Sequence, residues 1–248
     1  MRDIWLDNAV SSTNFARESY MKKISLIILL FVVFYTSYSQ QLLQVGFNQS
    51  FDLAWFSIVT NQSILVRISG DGTIIEAGTE ESALYNKNYF AQNLRPYQGS
   101  IAYYDGRSDS ASGGKIKNIG TCYFTYYPAN DYPERAGKIK SAGSLFFDYY
   151  RHYEDVLIAG RIKNIGSNTI AYFASLDNDG LQGKLKTVGN TPIAYYSSFD
   201  DPLLRGKLKS IGSYHFEWNL VFTGRETIAN LKSGYQRQLI NGVTYVLQ

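Results

Sequence analysis

The sequence predicts an all-β chain: an antiparallel meander of tandem β-hairpin repeats preceded by a short β-hairpin N-terminal cap. Three observations predict it. Residues 114–228 write a 23-residue unit five times without insertion or deletion. Every unit carries a glycine at its seventh position followed by Thr, Ser or Asn. The chain is rich in strand formers, with Tyr 21 and Phe 14 against Pro 5 in 248 residues. A fixed period of this length denotes a repeat architecture rather than a chance motif.

The units open on Gly114-Lys-Ile-Lys-Asn-Ile-Gly120, Gly137-Lys-Ile-Lys-Ser-Ala-Gly143, Gly160-Arg-Ile-Lys-Asn-Ile-Gly166, Gly183-Lys-Leu-Lys-Thr-Val-Gly189 and Gly206-Lys-Leu-Lys-Ser-Ile-Gly212. Counting the opening glycine as position 1, positions 7 and 8 suit a two-residue type II′ turn, whose first residue needs positive φ. That turn sets position 6 against 9, 4 against 11, 2 against 13 and 1 against 14. Position 13 is aromatic in every unit: Tyr126, Tyr149, Tyr172, Tyr195 and Trp218. Lysine stems at positions 2 and 4 are expected to lie over the side chains at 13 and 11. Aromatics at position 14 are expected to cover the opening glycines. Asp and Asn then cluster at Asn130-Asp131, Glu154-Asp155, Asp177-Asn178-Asp179-Gly180 and Asp200-Asp201-Pro202, which are loop signals. A parallel solenoid with one coil per unit is the competing architecture. It would stack lysines about 4.8 Å apart, so the meander is favoured.

Residues 1–20 show no period and are expected to be untranslated or disordered, with Met21 as the start. Met21-Lys-Lys, the apolar run Ile24–Phe34 and small residues up to Ser39 have the form of a secretory signal peptide cleaved after Ser39. The run is short for a membrane span, so no stable anchor is expected after cleavage. Residues 40–90 form the N-terminal β cap, with a hairpin around Gly70-Asp71-Gly72 and a strand within Asp52–Thr60. The repeat domain is placed at 91–248. Residues 91–113 are a degenerate copy aligned on Tyr103-Tyr104. Leu231-Lys232-Ser233-Gly234 is the trace of a sixth copy, and Val243–Leu247 a final strand.

A net charge of +3 gives no field suited to nucleic acid. One cysteine, Cys122, cannot form an internal disulfide. His152 and His215 fall at unrelated repeat positions, and the paired carboxylates fall in loops, so no catalytic or metal constellation emerges and no cofactor is expected.

The signal segment, the Ile-Ser-Gly-Asp-Gly-Thr-Ile hairpin and the tandem Gly-Lys-Ile-Lys-x-Ile-Gly…Tyr-Tyr units resemble a group of exported proteins of Gram-negative bacteria. That resemblance brings no activity or site residues with it. The period is also similar to that of MORN repeats. Their Tyr-x-Gly spacing is missing, so only hairpin architecture carries over.

The expected function is a non-enzymatic structural or interaction protein of the periplasm or cell surface. It would present a repeated Lys/Tyr face, formed by Lys117, Lys140, Lys163, Lys186 and Lys209 with the five position-13 aromatics, to a protein partner or a neighbouring copy. A glycan- or cell-wall-binding module stacking sugars on those rings is the alternative. An outer-membrane barrel is the third reading, and charge on both faces (Asp148 and Glu217; Lys140 and Lys209) argues against it.

Overall fold

The computed structural model describes residues 40–80, 93–107, 109–234 and 236–248. The expected leader at 21–39 and residues 1–20 lie outside the described residues. Those described form strands and no helix.

The head supplies β1 (Gln41–Phe47), β2 (Leu53–Val59), β3 (Leu65–Ile68), β4 (Ile74–Thr79) and β5 (Arg95–Pro96). The degenerate copy supplies β6 (Ile101–Tyr103). Each repeat then gives two strands. These are β7 (Ile116–Ile119) and β8 (Cys122–Tyr126), β9 (Ile139–Ala142) and β10 (Leu145–Tyr149), β11 (Ile162–Ile165) and β12 (Asn168–Tyr172), β13 (Leu185–Val188) and β14 (Thr191–Tyr195), and β15 (Leu208–Ile211) and β16 (Tyr214–His215). The tail adds β17 (Glu217–Phe222), β18 (Thr227–Ser233), β19 (Arg237–Ile240) and β20 (Val243–Leu247).

Strands β6 to β16 pair with their sequence neighbours in one open eleven-stranded sheet, the expected meander. Its tight turns follow the predicted chemistry. Gly120, Gly143, Gly166, Gly189 and Gly212 have φ between 54° and 58°, and the residue after each is not at positive φ. That combination fits type II′.

Only positions 5 and 6 pair within a unit, as Asn118↔Tyr123 and Ile119↔Cys122. The second strand then turns to the next copy: Phe124↔Ala142, Thr125↔Ser141 and Tyr126↔Ile139. Lys140 is skipped, the extra residue of a β-bulge. The same skip falls on Lys117, Lys163, Lys186 and Lys209. A bulge adds one residue to one strand and resets which face each side chain takes. Positions 3 and 6 both point inward, with 4 and 5 both out.

This corrects two expected pairings. Position 11 does not meet lysine 4, because Phe124, Phe147, Ile170, Ile193 and Phe216 are core residues. No aromatic covers the opening glycine either. The Gly137 N–H donates to the carbonyl of Tyr127 in the preceding copy at 2.9 Å, and Gly137 sits at φ 73°, closing the acidic loop.

The head and the tail make a second sheet of seven strands, ordered β19-β20-β1-β2-β3-β4-β5. Head and tail join through a parallel pair, with Val45 opposite Tyr245 and Phe47 opposite Leu247. The last two strands therefore belong with the head rather than with the repeats. The inner faces of both sheets share one hydrophobic core. Contacts run along the whole repeat array. The Thr121 N–H donates to Gln62 Oε1 at 2.9 Å, the Ser144 N–H to Gln40 Oε1 at 2.8 Å and Asn241 Nδ2 to Thr191 Oγ1 at 3.0 Å. The Ile162 N–H donates to the Gly70 carbonyl at 2.8 Å. The Phe51 ring meets Trp218 edge-on at 5.2 Å. The head thus extends well past the first copy.

Magnitudes show why the lysines face out. Burying an Ile, Leu or Phe contributes about 1.5–3 kcal/mol, and positions 3, 6 and 11 do this in nearly every unit. An exposed cation–aromatic contact contributes only about 0.5–1 kcal/mol. Core burial wins.

Candidate functional site

The ten residues singled out by sequence separate into an inward row and an outward row. The aromatic row is inward. Tyr149 is 0% exposed, Tyr172 3% and Tyr195 5%, while Tyr126 and Trp218 are half-buried. The Tyr126 hydroxyl donates to the Ile116 carbonyl and the Tyr149 hydroxyl to the Ile139 carbonyl, both at 2.8 Å. Trp218 Nε1 donates to the Leu208 carbonyl at 2.9 Å. Each hydrogen bond ties position 13 to position 3 of its own unit. The hydroxyls of Tyr172 and Tyr195 are buried and have no partner among the described residues. Burial raises the pKa of Tyr126, Tyr149, Tyr172 and Tyr195 well above the ordinary phenol value.

The preceding copy's position-14 ring stands edge-on against each tyrosine of this row. Tyr104 meets Tyr126 at 6.0 Å, Tyr127 meets Tyr149 at 6.1 Å, Tyr150 meets Tyr172 at 6.1 Å and Phe173 meets Tyr195 at 6.0 Å. The Tyr104, Tyr127 and Tyr150 hydroxyls reach on to the carbonyls of Phe124, Phe147 and Ile170 at 2.8 to 2.9 Å. This aromatic ladder joins copies, and its faces are not open platforms for a sugar ring.

The lysine row is outward. Lys140 Nζ lies 5.9 Å from the Tyr127 ring centroid, and Lys163, Lys186 and Lys209 lie 5.5, 5.2 and 5.3 Å from Tyr150, Phe173 and Tyr196. Lys117 covers Tyr104 at 5.9 Å. Each bulge lysine therefore caps the position-14 ring of the copy before it. Lys163 also pairs with Glu154, and Lys186 Nζ with Asp177 at 3.2 Å. Lys117, Lys140 and Lys209 are exposed. Beside the first two stand the exposed rings of Tyr123 and Phe146.

A second basic row, at position 2, lies over the aromatics of its own unit as expected. Lys115, Lys138, Arg161, Lys184 and Lys207 sit 4.7 to 5.3 Å from Tyr126, Tyr149, Tyr172, Tyr195 and Trp218. Lys115, Lys138 and Arg161 donate to the carbonyls of Gly137, Gly160 and Gly183, the opening glycines of the following copies. Lys184 turns instead to the head, donating to the Ser50 carbonyl at 3.1 Å and pairing with Asp52.

The β3–β4 turn lies against this row and divides a cleft. On one side is a cavity of about 370 Å³ lined by Asp71, Thr73, Tyr103, Lys115, Tyr126 and Lys138. On the other is a space of about 640 Å³ lined by Asp52, Ser69, Asp71, Arg161 and Gln182. Burial pushes the Lys115 and Lys138 ammonium groups down from their usual pKa, with Asp71 partly opposing this at Lys138. The smaller cavity thus brings two lysines, two phenol rings and the Asp71 carboxylate together, a lining suited to a polar ring that offers both acceptors and hydroxyl donors. Sequence reasoning missed it, because its walls come from both sheets.

The acidic loop residues have structural work. Asp177 accepts from the Ala174 N–H at 2.7 Å, Asp200 from the Ser197 N–H at 2.6 Å and Asp155 from the Ser175 N–H at 3.0 Å. Among the described residues no three His, Cys, Asp or Glu side chains gather to hold a metal ion. Cys122 is buried, which pushes its thiol up to about 11. A thiol so placed is a poor nucleophile. Comparison with family models, curated proteins and solved structures finds no match to this chain.

Proposed function

We propose that this chain is an exported, non-catalytic interaction protein whose working surface is the outer face of the repeat sheet, and that its partner is an extended acidic surface. The observation that carries this is the bulge at position 4. In every copy it turns a lysine outward while the paired aromatics turn in. Successive bulges lie two strands apart, about 10 Å, so the ammonium groups form an evenly spaced row. Lys117, Lys140 and Lys209 are the exposed members. Several weak contacts along one row, with Lys163 and Lys186 available by exchange of their ion pairs, give avidity to a polymeric or repeating partner. The test is retention on immobilised acidic polysaccharide and on acidic protein, each against a neutral matrix, at rising salt. Salt-sensitive retention on an acidic matrix, lost in the Lys117→Ala, Lys140→Ala, Lys209→Ala triple variant, supports the reading. Equal retention by both proteins overturns it.

A second reading, glycan binding, draws its support from the smaller cavity rather than from the position-13 row. There the exposed Tyr103 faces Lys115 and Lys138, a combination suited to a sugar acid. Calorimetric titration with uronic acid oligomers checks it. Tyr103→Ala should abolish the heat while leaving the melting curve unchanged.

A further inference from the structure

The repeat stops halfway through a hairpin. In β17 and β18, Trp218 pairs with Leu231 and Glu217 with Ser233, skipping Lys232. This is the bulge of every earlier copy, so β18 occupies the first-strand place of a sixth unit. In the other copies such a strand has a neighbour on both sides. Here the chain leaves at Gly234 for the other sheet, and β17 and β18 form a sheet of two strands. Among the described residues, the outer edge of β18 has no strand beside it.

The ribbon also differs from the earlier loops. The ten residues 219–228 replace a folded-back acidic loop with Asn-Leu-Val-Phe-Thr-Gly-Arg-Glu-Thr-Ile, which lacks the Asp caps of the other copies. Except for the turn at 223–226 they extend as strand, leaving Leu220, Val221, Phe222 and Ile228 exposed. Two-stranded ribbons are marginal alone, whereas three or more strands sustain themselves. A long exposed edge is a template for strand addition. The ends of the two larger sheets are blunted: β5 has two residues including Pro96, β6 three, β16 two and β19 four, against six in β17 and seven in β18, the longest edge strand of the described residues.

We propose that β18 pairs antiparallel with β18 of a second copy of this chain, about a two-fold axis through Asn230. A self-complementary edge is what such an axis requires. Pairing about Asn230 sets Ala229 against Leu231 and Ile228 against Lys232 of the other copy. Lys232, which now pairs with the exposed Glu217 at 3.3 Å, comes diagonal to Glu226 of the other copy, within reach of long side chains. Two such charge pairs form by symmetry. The two ribbons merge into four strands, and the exposed Ile228 gains a cross-strand neighbour. This inference is independent of the lysine face and of the cavity.

Light scattering and sedimentation on the purified chain test it. The wild type should be a dimer at about 100 µM. Asn230→Asp and Asn230→Lys each place like charges on the axis, and each should weaken dimerisation about tenfold or more. An equimolar mixture of the two variants should recover a heterodimer, which a variant that simply failed to fold could not do. A wild type that stays monomeric overturns the proposal. So does a dimer that neither substitution weakens, or a mixture that does not reassociate.

Discussion

Lys140 reaches back over the ring of Tyr127, its Nζ 5.9 Å from the centroid, although the two residues belong to different copies. The contact exists because Lys140 is the unpaired residue of a bulge, between the pairs Thr125↔Ser141 and Tyr126↔Ile139. The lysine side chain itself contributes little, so Lys140→Ala should cost under about 1 kcal/mol. Deleting the residue is different. A one-residue slip exchanges the two faces of a strand, driving Ile139 or Ala142 out of the core. We expect about 4 kcal/mol of destabilisation or outright failure to fold. Urea unfolding of both variants checks this, and equal midpoints would show that the bulge has no structural role.

Adjacent phenylalanines give the sharpest reading of the two faces. Phe147 is 2% exposed and Phe146 62%. Phe147→Ala should lose about 3–5 kcal/mol, and Phe146→Ala less than about 0.5 kcal/mol. Thermal melts of the pair decide it, and reversal of the order would mean that the register is off by one.

The turn glycines should resist substitution. Gly189 has φ 54°, and a Cβ there would meet Asn168 Oδ1 at 3.0 Å. Gly189→Ala should cost about 1–3 kcal/mol. Gly106 is at ordinary φ with nothing within 4 Å of such a Cβ. Gly106→Ala should be neutral or stabilising by about 0.4–1 kcal/mol, through the unfolded state. Chemical denaturation of both variants tests the contrast.

Alkali should unfold the protein. Burial raises the folded-state pKa of Tyr149, Tyr172 and Tyr195 above the unfolded value. Their stabilisation is therefore complete below the unfolded phenol pKa of about 10 and is lost as pH climbs above it. Ultraviolet titration follows the buried set. The buried set should ionise only together with loss of the β circular-dichroism signal. Smooth ionisation of all tyrosines with the fold intact would contradict the placement of the ladder.

Much of the architecture was legible in the sequence. The seventh-position glycine, the strand order, the contact between positions 2 and 13, and the sixth-copy trace at Lys232 all follow from local turn chemistry and the period. The bulge did not show itself to a period-two reading. Its signal was present in Ile139-Lys140-Ser141-Ala142, where two inward apolar residues flank two polar ones and alternation fails. For the same reason the site split: a flat hairpin puts Lys140 and Tyr149 on one face, and a bulged one separates them. The pairing of β1 with β20 had no local trace, because its partners lie at opposite ends of the chain and nothing in Val243–Leu247 names Gln41–Phe47.

That parallel pair imposes an order of events. Gln44 lies opposite Thr244, so the seven-stranded layer cannot be finished until residues 243–247 have been delivered, roughly two hundred residues after β1. Before then β1 has an unfilled side and the core an uncovered flank, and a nascent chain stays pliable. A nonsense mutation just ahead of Val243 would leave the protein permanently in that unlatched condition, exposed to proteases although every repeat is intact.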